Sequence, residues 1–212
     1  VLQTNPAARV LYLAPAMLVD NVYGELKRME VPARVDRYSS AISSISNENL
    51  RDAQVIVASI HRAAFERNID AWRDESGAWD VVIVDECHHM ADWSEDGTSP
   101  LKQMRLVRDL AMSRLKPDGR LFLMSATPHQ GNENKFRNML RLLSDDGYRD
   151  AVGSLESVFG RVVYRTKEDV RDWDGKPLFS KRQVNEPTYV QLGPDYLEWL
   201  TKIGEVFLDA GA

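Results

Sequence analysis

The sequence predicts an α/β fold: an open parallel sheet with helices on both faces. Three observations carry this. First, short apolar runs at 9–16 (RVLYLAPA), 53–59 (AQVIVAS), 79–86 (WDVVIVDE) and 119–127 (GRLFLMSAT) are continuous rather than alternating, the pattern of parallel strands buried on both sides. Second, segments with helical spacing separate the runs, and strand–helix alternation favours a parallel sheet. Third, the runs end at Pro15, Ser59, Asp85–Glu86 and Ser125–Thr127. Ligands of open parallel sheets bind at the carboxyl ends of strands, so these positions form one candidate site.

In chain order, the run at 9–16 leads into a helix with Leu18, Val22, Leu26 and Met29 on one face. A weaker strand is expected at 33–38 (ARVDRY), followed by the runs at 53–59 and 79–86. Ser99 and Pro100 read as an N-cap and first helical position. They open a helix striped by Leu101, Met104, Arg108, Ala111 and Leu115. Pro117, Asp118 and Gly119 end that helix as a turn before the run at 119–127. Phe136, Met139, Leu140 and Leu143 stripe another helix, stopped near Gly147. Trp72, Trp79 and Trp93 read as packing residues.

The pattern changes near residue 150, which divides the chain into a domain at 1–150 and an extension at 151–212. The extension holds Arg161, Arg165, Lys167, Arg171, Lys176, Lys181 and Arg182, interleaved with Glu168, Asp169, Asp172 and Asp174. Such a segment reads as a solvated face, with Arg165 and Lys167 as its candidate nucleic-acid contacts. A last helix is expected at 195–208, with Tyr196, Leu200, Ile203 and Phe207 on one side.

Composition narrows the function. At 212 residues and 43% hydrophobic, the chain can bury a sizeable core. A net charge of −5 excludes a generally basic nucleic-acid glove, so any such surface is a local patch. Cys87 is the only cysteine, so no internal disulfide forms, which fits a reducing cytosol. No apolar run approaches the ~20 residues of a membrane span, and no signal peptide is recognisable. Opening at Val1 in mid-pattern, the chain reads as a piece of something longer.

The densest chemistry is WDVVIVDECHHM at 79–90. Structural zinc wants four converging ligands, and adjacent residues at one strand end converge poorly. A nucleotide-hydrolase site accounts for more. There, Asp85 holds Mg²⁺ directly or through water, and Glu86 orients or deprotonates a water attacking a γ-phosphate. His88 can hydrogen-bond to a neighbouring strand end such as Ser125 or Thr127. Cys87 reads as an inert small residue, and His89 as a structural or surface histidine.

DECH at 85–88 resembles motif II of superfamily 2 helicases and translocases, and SAT at 125–127 resembles their motif III. VLYLAPAMLVDNVYGEL at 10–26 is similar to motif Ia, and VIVASIHRA at 55–63 sits where motif Ib belongs. SATPHQGNENKFRNMLRLL (125–143) and VVYRTKEDVRDWDGKPLFSKRQV (162–184) resemble the Swi/Snf-type branch, nearest its bacterial RapA/HepA-like and phage-defence members. This resemblance implies a partial RecA-like first lobe from an ATP- and Mg²⁺-dependent translocase on duplex DNA, in the bacterial cytosol at the nucleoid. It implies that Asp85 and Glu86 serve Mg²⁺ and ATP, and that His88, Ser125, Ala126 and Thr127 couple hydrolysis to movement. Pro15 and Ser59 resemble positions touching the DNA backbone.

The family's Gly-x-Gly-Lys-Thr is missing, since no Gly-Lys-Ser/Thr occurs in the chain. Without it, the expectation is a lobe lacking its phosphate cradle, with 151–212 leading toward an absent second lobe that carries the arginine finger. A gap or exposed edge near the sheet centre is expected to follow. The competing readings are an RNA-directed or strand-separating helicase, a non-catalytic docking module of the same fold, and a metal-binding protein.

Overall fold

Apolar, β-branched runs place the strands, and a computed structural model shows how they pair. It describes residues 2–38, 53–65, 68–69, 72, 78–91, 100–128, 131–144, 158, 160–180, 186 and 193–209, with side chains of the last helix described to Gly204. The chain divides into two compact units, Val1–Val162 and Val163–Ala212. The division falls after the composition change near residue 150.

The first unit contains β1 (Val10–Ala14), a 3-10 turn (Ala16–Leu18), α1 (Val19–Arg28), β2 (Val35–Tyr38), β3 (Val55–Ser59) and α2 (Ile60–Ala63). It continues with β4 (Trp79–Val84), a 3-10 turn (Cys87–His89), α3 (Lys102–Ser113), β5 (Leu115–Leu123) and α4 (Glu133–Arg141). The strands form one sheet in the order β2-β3-β1-β4-β5, and every pairing is parallel. Parallel strands send their carboxyl ends to the same edge. Pro15, Ser59, Asp85–Glu86 and Ser125–Thr127 therefore share that edge, as expected.

The two sheet faces bury separate sets of residues. On one, Leu11, Leu13, Ile56, Ala58, Val82 and Val84 pack with Met104, Leu106, Val107 and Leu110 of α3 and Met139 of α4. On the other, Val10, Ala14, Val55, Val57 and Val81 pack with Leu18, Val22, Tyr23 and Leu26 around α1. Helices thus cover both faces, and the continuous apolar runs are explained by burial on each side. Trp72 and Trp79 are fully buried, as packing residues should be; Trp93 lies outside the described residues.

The structure corrects several expectations. Of the expected gap or exposed edge, the described residues show no gap: β3, β1, β4 and β5 pair without a break, and β2 and β5 are the outermost described strands. Met29 is 72% exposed, because α1 ends at Arg28 and the chain leaves through Glu30 in the left-handed conformation. In α3 the buried face is Met104, Leu106, Val107 and Leu110, whereas Leu101 lies outside the helix and is exposed. Leu115 belongs to β5, and Pro100 precedes the helix; Ser99 is not among the described residues.

Pro117–Gly119 do not simply end a helix. They form an irregularity inside β5: Trp79 pairs with Leu115, and the register resumes at Val81 with Arg120. The expected helix-ending turn is not found there: α3 already ends at Ser113, and Pro117–Gly119 interrupt the pairing of β5 with β4, which resumes after them.

The second unit holds a 3-10 turn (Lys167–Asp169) and α5 (Pro194–Asp209). Thr166 and Asp169 form a capping box. Arg171 and Pro177 make an antiparallel bridge, closed by Gly175 at φ +80° and by Asp172 Oδ1, which accepts from the Asp174 and Lys176 amides at 3.0 and 2.8 Å. Tyr196 and Leu200 of α5 are exposed. No helix among the described residues is long and apolar enough to cross a membrane.

At the β5 kink a Cβ on Gly119 would lie 2.9 Å from the Lys116 carbonyl oxygen and 3.0 Å from Leu115 Cδ2. The first of these is backbone and cannot swing away. Gly119→Ala is expected to destabilise the chain by about 1–3 kcal/mol, the usual cost of forcing atoms into a packed site. Urea unfolding measures it, and a midpoint equal to wild type would show that the kink relaxes freely.

Candidate active site at the carboxyl edge of the sheet

The site is built by backbone hydrogen bonds that continue past the end of β4. The Asp85 amide donates to the Leu13 carbonyl at 2.8 Å, and the Cys87 amide donates to Met124 O at 2.9 Å. The segment after β4 is therefore held between the ends of β1 and β5. Between these two anchors Glu86 adopts φ 48°, ψ 44°, a left-handed conformation that costs a non-glycine residue about 1–2 kcal/mol. The 3-10 turn at Cys87–His89 follows at once.

Asp85 is half-buried, and both of its carboxylate oxygens are engaged. Oδ1 accepts from the Glu86 amide at 2.9 Å, and Oδ2 accepts from the Tyr12 hydroxyl at 3.0 Å. Burial, followed by the bond to Asp85, pushes the Tyr12 phenol up to about 12, so Tyr12 is a proton donor at any physiological pH.

His88 is buried and bridges two elements. Its Nδ1 lies 2.8 Å from Ser125 Oγ and 3.2 Å from Glu86 Oε2. A lone pair on Nδ1 would face the Glu86 carboxylate unfavourably, so the proton is assigned to Nδ1 on physical grounds. Burial, and then the neighbouring His89 ring, lower the His88 pKa; Glu86 opposes this, and Lys135 of α4 adds to it. His88 is accordingly neutral at pH 7. Ser125 Oγ also accepts the Thr127 amide at 3.0 Å, so the bridge from Glu86 through His88 reaches the loop after β5. Ala126 and Thr127 are exposed.

The remaining sequence candidates fall as follows. Cys87 is buried, and burial pushes its thiol up to about 12, which makes it inert as a nucleophile. His89 is exposed, its ring centroid 4.1 Å from that of His88. Pro15 precedes the 3-10 turn after β1. Ser59 is 2% exposed and caps α2, its hydroxyl accepting from the Arg62 amide at 3.4 Å. Arg165 and Lys167 belong to the second unit and are exposed, with Lys167 Nζ 5.7 Å from the Phe179 ring centre. Lys181 and Arg182 lie outside the described residues.

Two residues at the site escape the motif-based reading. Tyr12 hides in the apolar run VLYLA, where its only signal is a hydroxyl on a central strand. Lys135 is buried on an amphipathic helix, where a lysine ordinarily reads as a surface residue.

The arrangement fits a hydrated Mg²⁺. Hard oxygen donors suit that ion, which keeps several waters and takes few protein ligands. Among the described residues, two of the roughly four lone-pair positions of a carboxylate are taken on Asp85. Among the described residues no three His, Cys, Asp or Glu side chains cluster as metal ligands.

The backbone of Glu86 yields a test of strain. Glu86→Gly and Glu86→Ala both remove the carboxylate, but only glycine relaxes at positive φ. The glycine variant is expected to be more stable than the alanine variant by about 1 kcal/mol, measured by urea unfolding of the two side by side. Equal stabilities would show that residue 86 is unstrained.

Comparison with known proteins agrees with the motifs. The DEAD/DEAH box helicase family matches residues 1–136. The RNA polymerase-associated protein RapA of Erwinia tasmaniensis is 32% identical over 160 residues, covering 70% of this chain and 15% of that protein. RapA of Yersinia pestis (strain Pestoides F) is 30% identical over 148 residues, covering 68% and 14%. The chain thus spans about a seventh of these relatives. The Sulfolobus solfataricus SWI2/SNF2 ATPase core in complex with dsDNA aligns with a TM-score of 0.47 at 16% identity, over 66% of this chain and 25% of that one. The similarity to RapA agrees with the Swi/Snf-type character of the motifs, and the chain belongs to the DEAD/DEAH box helicase family.

Proposed function

We propose that this chain is the metal- and water-handling part of a Swi/Snf-type, ATP-driven translocase on duplex DNA, acting in the bacterial cytosol at the nucleoid. The observation that carries the reading is the carboxylate pair at the end of β4, with His88 joining Glu86 to Ser125 of the next strand end. Asp85 would hold Mg²⁺ and Glu86 would orient the attacking water and take its proton. When bound, Mg²⁺ neutralises charge on the transferred phosphoryl group. His88 and Ser125–Ala126–Thr127 would pass the state of Glu86 to the loop after β5. Pro15, Arg165 and Lys167 would meet the DNA backbone, whereas Ser59, expected there from the sequence, is 2% exposed and its hydroxyl caps α2, so it is left out of that contact.

The geometry favours this division of roles. Glu86 is held by its backbone and contacts neutral His88, so its carboxylate can accept a proton without breaking an ion pair to a fixed cation. Asp85 is gripped through both oxygens, which suits a ligand whose position must not wander.

In the full-length protein, Glu86→Gln is expected to abolish ATP turnover while leaving ATP binding intact, because the amide keeps the size and loses the base. Steady-state phosphate release and nucleotide titration measure the two separately. Turnover within a few fold of wild type would remove Glu86 from the reaction.

The 212-residue chain alone is expected not to hydrolyse ATP. A P-loop supplies backbone amides and a lysine to the β- and γ-phosphates, and the sequence has no Gly-Lys-Ser/Thr. Losing three or four charge-assisted hydrogen bonds of about 1.5–3 kcal/mol each weakens binding by at least about 10³-fold. Micromolar Mg²⁺–ATP affinity, or DNA-stimulated phosphate release from this chain, would reveal a different phosphate site.

A further inference from the structure

The Tyr12 contact with Asp85 follows from the register of β1 against β4. Tyr12 is opposite Ile83, and the Asp85 amide bonds to the Leu13 carbonyl. Side chains alternate along a strand, so Tyr12, Ile83 and Asp85 lie on one face, with Asp85 displaced toward the carboxyl edge. A valine or isoleucine at position 12 would fill the apolar layer but stop short of the carboxylate. The tyrosine ring crosses that distance and brings its hydroxyl to 3.0 Å from Asp85 Oδ2.

The other oxygen, Oδ1, accepts the Glu86 amide at 2.9 Å. One bond alone leaves a carboxylate free to turn about the axis through that contact. Two bonds to different oxygens, one from the neighbouring strand and one from its own chain, fix the plane.

We propose that Tyr12 is a positioning residue whose hydroxyl holds the Asp85 carboxylate in the orientation that receives a hydrated divalent cation. The proposal rests on the reading of Asp85 as the metal-binding carboxylate. Hydrogen-bonded partners of metal ligands typically contribute 10–100-fold in metal affinity. A tyrosine that merely finds an acceptor for its buried hydroxyl would add to stability and leave the metal site unchanged.

The test uses the 212-residue chain as wild type, Tyr12→Phe and Asp85→Asn. Without metal, Hα–Hβ scalar couplings report the Asp85 side-chain rotamer. Wild type is expected to show one rotamer and Tyr12→Phe averaged couplings, with the fold retained. With Mn²⁺ as a paramagnetic hard cation, local broadening of amide signals at 85–88 is expected in wild type. The Mn²⁺ midpoint should rise about tenfold in Tyr12→Phe, and the local effect should vanish in Asp85→Asn. Unchanged couplings and an unchanged midpoint in Tyr12→Phe, with broadening lost in Asp85→Asn, would overturn the role of Tyr12 and leave Asp85 in place. Local broadening that survives Asp85→Asn would instead overturn the metal-binding reading. If wild type shows no local broadening, the proposed cation site fails in this chain, whatever the couplings show.

Discussion

Everything at the candidate site depends on two backbone hydrogen bonds made after β4 has ended. Asp85 N–H to Leu13 O and Cys87 N–H to Met124 O extend the parallel ladder beyond the last paired residue. They leave Glu86 no room for ordinary strand or helix geometry, and it takes the left-handed conformation between them. The turn that follows folds His88 back toward Ser125. A loop without these anchors could carry the same side chains but would not fix their mutual distances. The strain at Glu86 is offset by the sheet, whose apolar faces are buried on both sides.

Burial then sorts the chemistry of four adjacent residues. Asp85 and Glu86 are partly exposed and can meet a ligand. Cys87 and His88 face inward, where desolvation disfavours their charged forms. A neutral His88 can join a carboxylate and a serine hydroxyl without placing a buried charge beside Lys135. The alternation of exposed acids and buried neutral groups results from a single turn.

Much of this was legible in the sequence because parallel strands buried on both faces leave an unambiguous mark. VIVAS and WDVVIV have no polar face, and their polar ends had to share one edge. The His88–Ser125 bond was readable for the same reason: two neighbouring strands ended in groups able to pair. Other features were not legible. The stripe in α3 shifted because Leu101 fell outside the helix, and several apolar positions compete for one face in LKQMRLVRDL. Pro117–Gly119 carried turn chemistry, yet strand pairing resumed around it, a tertiary effect that local propensity does not encode. Tyr12 was invisible because its role depends on register with a residue 73 positions away.

The described partners of Asp85 suit the cation-binding role proposed for it. A carboxylate could equally be fixed by a lysine or arginine, as Asp80 is by Lys116 at 2.7 Å on another part of the sheet. That arrangement holds the group in place but cancels its charge. The described partners of Asp85 are a phenol and an amide, both neutral, so they set its orientation without bringing a positive charge to it. Glu86, beside it, contacts a histidine that burial keeps neutral. Asp80, inside β4, is paired with a lysine, and Asp85, just past the end of the same strand, is held by neutral donors.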